Sequence, residues 1–253
     1  MRDDALTLGA LAAGAACVAA LAHEAVGHGT ACLIEGGRVT LLTATFFGCE
    51  GGGVLTDMAG PFGGLTAGLV ALLVQNRFRS AAWRYFCAML AAFSLCWFAG
   101  GFVYSPLTGH GDHATVAYQL RAPDIWRVAS LITGIVLYGL FQPLMVRGFR
   151  RIAAPDDPPG MLSRRVGVGQ AAGAVGLGLA GFGYPDSLLL GALQGFLAIG
   201  LAAVPMWLAV ASVARRRERQ GISVARSRSW IVSMTALWIA FVAIQGTNLL
   251  GGG

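Results

Sequence analysis

The chain alternates between long apolar runs and short polar connectors. About 20 apolar residues cross the hydrocarbon core of a bilayer as a helix, and seven runs approach or exceed that length. The predicted spans are residues 5–31, 54–75, 83–104, 126–147, 164–182, 187–213 and 230–250. The fifth span is short and rich in glycine. The pattern predicts an all-α polytopic membrane protein with about seven transmembrane helices.

One connector has a different composition from the others. Residues 39–47 are rich in β-branched and aromatic residues and are bounded by glycine pairs. This composition favours a strand or hairpin at the membrane surface, and a plain glycine-rich loop is the alternative. We therefore expect a short β-like or irregular segment near residues 36–53. Cys32 and Cys49 flank this connector and could pair if it is extracytoplasmic.

Composition and charge agree with a membrane protein. The chain is 56% hydrophobic and 12% charged, whereas soluble domains have about 25% charged residues. Its net charge of +6 does not indicate nucleic-acid binding, because the basic residues are all arginines and most lie in short connectors. The connectors after the second, fourth and sixth spans are arginine-rich, which places the N-terminus in the cytoplasm. Dropping the fifth span would break this alternation. The arginine, alanine and glycine bias is typical of GC-rich bacterial genomes and suggests the bacterial inner membrane.

Ionisable residues interrupt the first apolar run at residues 23–28, which read HEAVGH. Such groups are costly at membrane depth and usually mark function. His23, Glu24 and His28 are similar to the HExxH helix of zinc metallopeptidases, except that the histidines are five residues apart instead of four. On a regular helix this spacing separates them by about 140°. A one-residue π-bulge, most easily at Gly27, would return both to one face. The dipeptidyl peptidase III family has an HExxGH motif of the same length.

The other two histidines of the chain, His110 and His113, follow the third span. The first and third spans run in the same direction, so both histidine pairs emerge on one side of the membrane. Four histidines in two clusters on one face, one of them beside an embedded Glu24, suit a metal site. The alternative is a set of interfacial histidines that only form hydrogen bonds.

Residues 15–120 resemble the site-2-protease (M50, M50B-like) class of intramembrane zinc metallopeptidases. The matching pieces are HEAVGH at 23–28, Gly36-Gly37, the Ala-Gly-Pro segment at 59–61 and Pro106 with Gly111-Asp112. Two features depart from the family: the extra residue in the motif, and a charge bias that puts the site near the extracytoplasmic face. Family proteases commonly act nearer the cytoplasm.

The resemblance implies the chemistry of the site. Catalytic Zn2+ takes three protein ligands and keeps one open position. His23 and His28 would be two ligands and Asp112 the third, with His110 or His113 as alternatives. Glu24 would act on a zinc-bound water and hydrolyse peptide bonds of membrane-embedded substrates. The other role considered for Asp112 is a helix N-cap.

Other functions are compatible with parts of this pattern. A metal-dependent hydrolase of membrane lipids or amides would use the same chemistry on a lipid-like substrate. A non-enzymatic ion or metal transporter would need embedded charges in several spans, and the last four spans have almost none in their middles. Gly109 to Asp112 fits the GxGD string of aspartyl proteases, but that class needs a second intramembrane aspartate upstream in a Tyr-Asp element, and the chain has no Tyr-Asp pair.

We divide the chain into a metallopeptidase-like membrane core at residues 1–124 and additional helices of unknown role at 125–253. The expected partners are the lipid bilayer and a membrane-protein or lipid-like substrate, and no nucleic acid is expected. If residues 39–47 form an edge strand, β-augmentation would hold a substrate in extended form.

Overall fold

The computed structural model describes residues 3–152, 160–213 and 223–246. Within these ranges seven helices are long and apolar enough to cross a membrane. They are α1 (Ala5–Ile34), α2 (Val54–Arg77), α3 (Ala81–Thr108), α5 (Ile125–Arg150), α6 (Met161–Gly183), α7 (Leu188–Ser212) and α8 (Arg228–Gln245). A short helix, α4 (Asp112–Gln119), lies between α3 and α5. The predicted helical fold with seven apolar spans is confirmed over these ranges. The end of the last predicted span, 247–250, lies outside them.

Helix α3 is the central helix of the bundle. In its most apolar stretch 72% of the residues are buried, compared with 17% in α5, 22% in α7 and 11% in α8. The outer helices instead expose large aliphatic side chains, such as Ile132 on α5 and Leu189 on α7. An apolar helix with so little burial has its hydrophobic surface free to face lipid.

The predicted β-like segment is an antiparallel hairpin, one of the alternatives considered from the sequence, with a turn at residues 43–46. Strand β1 (Arg38–Leu42) pairs with β2 (Phe47–Glu50), with an irregular register between Val39 and Leu41. In the turn, the Thr43 amide donates to the Phe46 carbonyl over 2.9 Å. A disulfide joins Cys32, near the end of α1, to Cys49 on β2. The hairpin is thus covalently fixed to the first helix.

The two parts of the chain proposed from the sequence share one core. Helix α1 packs along both α6 and α8. At one end of the bundle, Asp3 on the N-terminal side of α1 forms a buried ion pair with Arg165 of α6. The division after residue 124 therefore remains a prediction about function, because the packing continues across it. Residues 153–159 and 214–222 lie outside the described residues. The second range contains most of the arginine-rich connector that follows α7.

Candidate metal centre

Helix α1 changes from α-helical to π-helical geometry where it carries its ionisable residues. The π-helical stretch runs from Leu21 to Gly29 and includes the whole HEAVGH motif. Because π-helical hydrogen bonds join residues five apart, His23 and His28 come to the same side, with ring centroids 5.0 Å apart. The predicted return to one face is confirmed, although the π geometry covers nine residues instead of one bulge at Gly27.

A sharp turn after α3 brings a carboxylate to these rings. Gly109 and Gly111 both have left-handed φ angles, 75° and 89°, which only glycine adopts without strain. The turn starts α4 at Asp112, whose Oδ2 lies 3.1 Å from His23 Nε2 and whose Oδ1 lies 3.5 Å from His28 Nε2. The residue capping α4 is Gly111, so Asp112 does not take the N-cap role considered from the sequence.

Helix α2 approaches the π-helical stretch so closely that its glycines are required. A methyl group on Gly60 would lie 2.0 Å from His28 Nε2, inside the volume of the ring. Added methyl groups on Gly27 and Gly63 would lie 2.5 Å and 2.3 Å from backbone oxygens of the facing helix. The Ala-Gly-Pro segment and the glycines after it therefore form the wall against which the histidines pack.

A backbone carbonyl of α2 fixes the orientation and tautomer of His28. Its Nδ1 lies 2.7 Å from the Thr56 carbonyl oxygen, which can only accept, so Nδ1 carries a hydrogen. In the neutral ring the Nε2 lone pair then points at the Asp112 carboxylate. Two electron-rich atoms at this distance repel each other unless a proton or a metal ion lies between them. A metal-binding histidine has this same arrangement, with its second nitrogen bonded to an outer oxygen.

Glu35 holds in place Thr56, the residue whose carbonyl group bonds to His28. Its carboxylate accepts from the amides of Gly53 and Thr56, 2.9 Å and 3.0 Å away, and from the Thr56 hydroxyl. These bonds satisfy the first turn of α2, and the hydroxyl bond, followed by the amide bonds, keeps the pKa of Glu35 below its usual value. A carboxylate before a glycine-rich connector is commonly a solvated loop charge, but Glu35 caps a helix.

Aromatic rings pack on both histidines. Trp97 of α3 stacks on His23 with centroids 4.6 Å apart, and Phe47 of β2 stacks on His28 at 5.2 Å. Both histidines are buried, whereas the Asp112 side chain is 32% exposed. The cluster is therefore enclosed by aromatic groups on two sides and opens to solvent at Asp112.

Glu24 lies in the same π-helical stretch and is 2% exposed. Its Oε2 is buried and has no hydrogen-bond partner among the described residues. A buried carboxylate oxygen without a partner is costly, so its presence next to two metal-type ligands needs an explanation. A bound water that donates to Oε2 would supply one.

The remaining candidate ligands do not join the cluster. Within the described part of the chain, the group that could hold a metal consists of His23, His28 and Asp112. His110 is exposed in the turn before α4. His113 is buried against Phe102, with ring centroids 3.8 Å apart, and burial lowers its pKa to about 4. His113 therefore packs as a neutral aromatic ring.

The donor set is of a type that could hold a divalent metal ion, zinc among them. One ligand atom from each of the three residues lies within 4.8 Å of the others. Ligand atoms around a tetrahedral zinc ion, with bonds of about 2.0 Å, lie roughly 3.3 Å apart. Burial raises the pKa of Asp112, but the two histidines, when protonated toward its oxygens, outweigh burial and hold this pKa well below its ordinary value. A metal ion at the same position would likewise favour the charged form of Asp112, which is the form that binds metal.

Thr56 and Trp97 were not singled out from the sequence, and the observed roles of Glu35 and Gly60 in the centre were not predicted. Thr56 acts through its carbonyl, which any residue possesses, and Trp97 sits in an apolar run where aromatics are common. Glu35 offered a weak signal, since a carboxylate just before a glycine-rich connector can cap the next helix. Gly60 carried the clearest signal, a glycine beside a proline within an apolar span.

Comparison with known proteins finds no relative of this chain. No protein-family model, curated protein or solved structure matches the chain. What can be said of function therefore comes from the site itself.

Proposed function

We propose that this protein is an intramembrane zinc-dependent peptidase, similar in its chemistry to the site-2-protease class, in a bacterial inner membrane with its N-terminus in the cytoplasm. The observation that supports this most is the convergence of His23, His28 and Asp112 within 4.8 Å beside Glu24. Asp112 is 89 residues from His23 in sequence. The turn that delivers it depends on Gly109 and Gly111, whose left-handed φ angles are accessible to glycine without strain.

His23, His28 and Asp112 would hold the ion, and Glu24 would handle the proton. Zinc, when bound, polarises the scissile carbonyl and lowers the pKa of water to about 7. The unpartnered Oε2 of Glu24 accepts a proton from the attacking water and then donates it to the leaving amine. Glu24 is 2% exposed, and this burial keeps competing bulk water away from the transfer.

Metal content of the purified protein tests the site. We expect near-stoichiometric zinc in the wild type and loss of most of it in His23→Ala, His28→Ala and Asp112→Ala. His110→Ala is the matched control, because His110 is exposed outside the cluster, and it should retain zinc. Folded protein that takes up no zinc even when zinc is added would overturn the proposal. A protonated His28 between its two oxygen neighbours would then explain the geometry.

Glu24→Gln separates catalysis from metal binding. This variant should keep its zinc, since Glu24 is not among the three ligands, and should cleave a membrane-anchored test polypeptide at least about 100-fold more slowly. Release of fatty acid from bilayer lipid, without peptide cleavage, would instead favour the lipid hydrolase alternative.

A further inference from the structure

The disulfide places the candidate metal centre on one side of the membrane. Cys32 and Cys49 are bonded with their Cα atoms 6.0 Å apart, and Cys32 lies four residues beyond His28 in the chain. Disulfides form and persist in oxidising compartments and are rare in the cytosol. The end of the bundle that carries the hairpin and the metal centre therefore belongs on the extracytoplasmic side.

Tertiary contacts show which helix ends share that side. The turn of the hairpin meets the end of α6, where Tyr184 stacks on Phe46 with centroids 4.2 Å apart, and the end of α8, where Gln245 donates to the Thr43 carbonyl over 2.9 Å. The start of α2 is there too, through Thr56 and His28. The opposite ends of these helices consequently lie together at the other face.

The arginines independently support the same orientation. The metal-centre end carries Arg38, Arg121 and Arg127. Among the described residues, the opposite end carries ten arginines: Arg77, Arg79, Arg84, Arg147, Arg150, Arg151, Arg164, Arg165, Arg226 and Arg228. Arginine is enriched in cytoplasmic connectors, so this end is cytoplasmic. The charge distribution and the disulfide do not depend on each other, and they agree.

The depth of the centre follows from the helix rise. His28 is six residues and His23 eleven residues before the end of α1 at Ile34. At about 1.5 Å per residue these are distances of roughly 9 Å and 16 Å, within a hydrocarbon core about 30 Å thick. Measured from that helix end, His28 lies in the outer half of the membrane and His23 near its middle, and the Asp112 side chain beside them is 32% exposed at the protein surface.

We infer that the substrates are membrane-anchored polypeptides cleaved near the extracytoplasmic end of their membrane-embedded segment. The inference rests on the proposed peptidase function and narrows it to one substrate class. A bond in the cytoplasmic half of a substrate helix would have to move past the bundle midplane to meet Glu24. A bond at the outer boundary reaches the centre after local unwinding of about two or three helical turns.

Topology is tested by labelling introduced thiols in intact cells with a membrane-impermeant reagent. Asp124→Cys and Arg79→Cys form a matched pair, because both positions are exposed and lie at opposite ends of the bundle. The three native free cysteines are buried, and unsubstituted protein gives the background. We expect Asp124→Cys to be labelled in intact cells and Arg79→Cys only after permeabilisation. The reverse pattern would overturn the inference.

Substrate class is tested with two single-span reporters that carry the same helix-destabilising cleavage segment, placed at the outer or the inner membrane boundary. We expect the outer reporter to be cleaved at least about tenfold faster, and Glu24→Gln to abolish both signals. Faster cleavage of the inner reporter, or cleavage of neither by zinc-loaded protein, overturns the inference. Zinc content measured on the same preparations keeps this outcome distinct from failure of the metal site itself.

Discussion

At the scale of single residues, the centre depends on glycines that leave space for the histidine rings as much as on the candidate ligands themselves. His28 occupies the space where any residue other than glycine at position 60 would place its Cβ atom. The same close approach lets the Thr56 carbonyl reach His28 Nδ1. Gly60 thus determines where His28 lies in the proposed metal centre, although it contributes no ligand.

Gly60→Ala should weaken zinc binding by about 10–100-fold, the range seen when groups that orient metal ligands are changed. The reason is that the added methyl group would lie 2.0 Å from His28 Nε2 and must displace the ring. Zinc affinity by competition with a chelator is the measurement. Gly139→Ala is the control, because a Cβ atom at that helical position meets nothing within 4 Å. Equal affinity in both variants would contradict this role of Gly60.

At the scale of elements, the connection between α1 and α2 orients the centre. Glu35 at the end of α1 caps the first turn of α2, and the capped Thr56 in turn fixes His28. Arg38 and Glu50 also pair, 2.8 Å apart, but their side chains are 66% and 69% exposed. Exposed ion pairs of this kind contribute little, whereas a carboxylate at a helix N-terminus satisfies backbone amides that have no other partner.

Glu35→Gln should lower the thermal midpoint in detergent at pH 7 by a few degrees, about 2–4 °C. The pKa of Glu35 is lowered in the folded protein, so its charge stabilises above the ordinary value near 4.3. That contribution is lost as pH falls through the lowered pKa, and the two proteins should converge at pH values below it. Glu50→Gln removes the same charge from the exposed pair and should leave the midpoint unchanged. A pH-independent difference for Glu35→Gln would argue against a charge effect.

At the scale of the whole molecule, the C-terminal helices contact the hairpin near the candidate metal centre, although their sequences contain no recognisable motif. Gln245 of α8 is 1% exposed and donates to the Thr43 carbonyl, 202 residues away in sequence. Tyr184, after α6, stacks on Phe46 in the same turn. The disulfide holds the base of the hairpin and these two residues hold its turn, so that Phe47 stays over His28.

Gln245→Leu should loosen the hairpin turn without removing the metal site. Loss of one buried hydrogen bond is worth about 1–3 kcal/mol, so amide exchange in residues 43–47 should accelerate by about tenfold or more while zinc content stays unchanged. Hydrogen exchange followed by mass spectrometry measures this. Gln170→Leu is the control, because Gln170 also donates to a backbone carbonyl, that of Gly200, in another part of the bundle. Unchanged exchange at the hairpin would show that its turn is held by other contacts.

The sequence by itself determined the helices and the chemistry of the first span. Apolar runs must cross the bilayer as helices because unpaired backbone groups are too costly there, which is why seven spans could be located to within a few residues. The five-residue histidine spacing likewise required π geometry if both rings were to share a face. Tertiary structure alone decided which distant groups meet these rings. Asp112 and not His113 enters the centre because the Gly109–Gly111 turn points the first residue of α4 inward and buries His113 against Phe102. The Thr56 carbonyl and the space at Gly60 matter only because α2 packs closely on α1, a contact that no local pattern encodes.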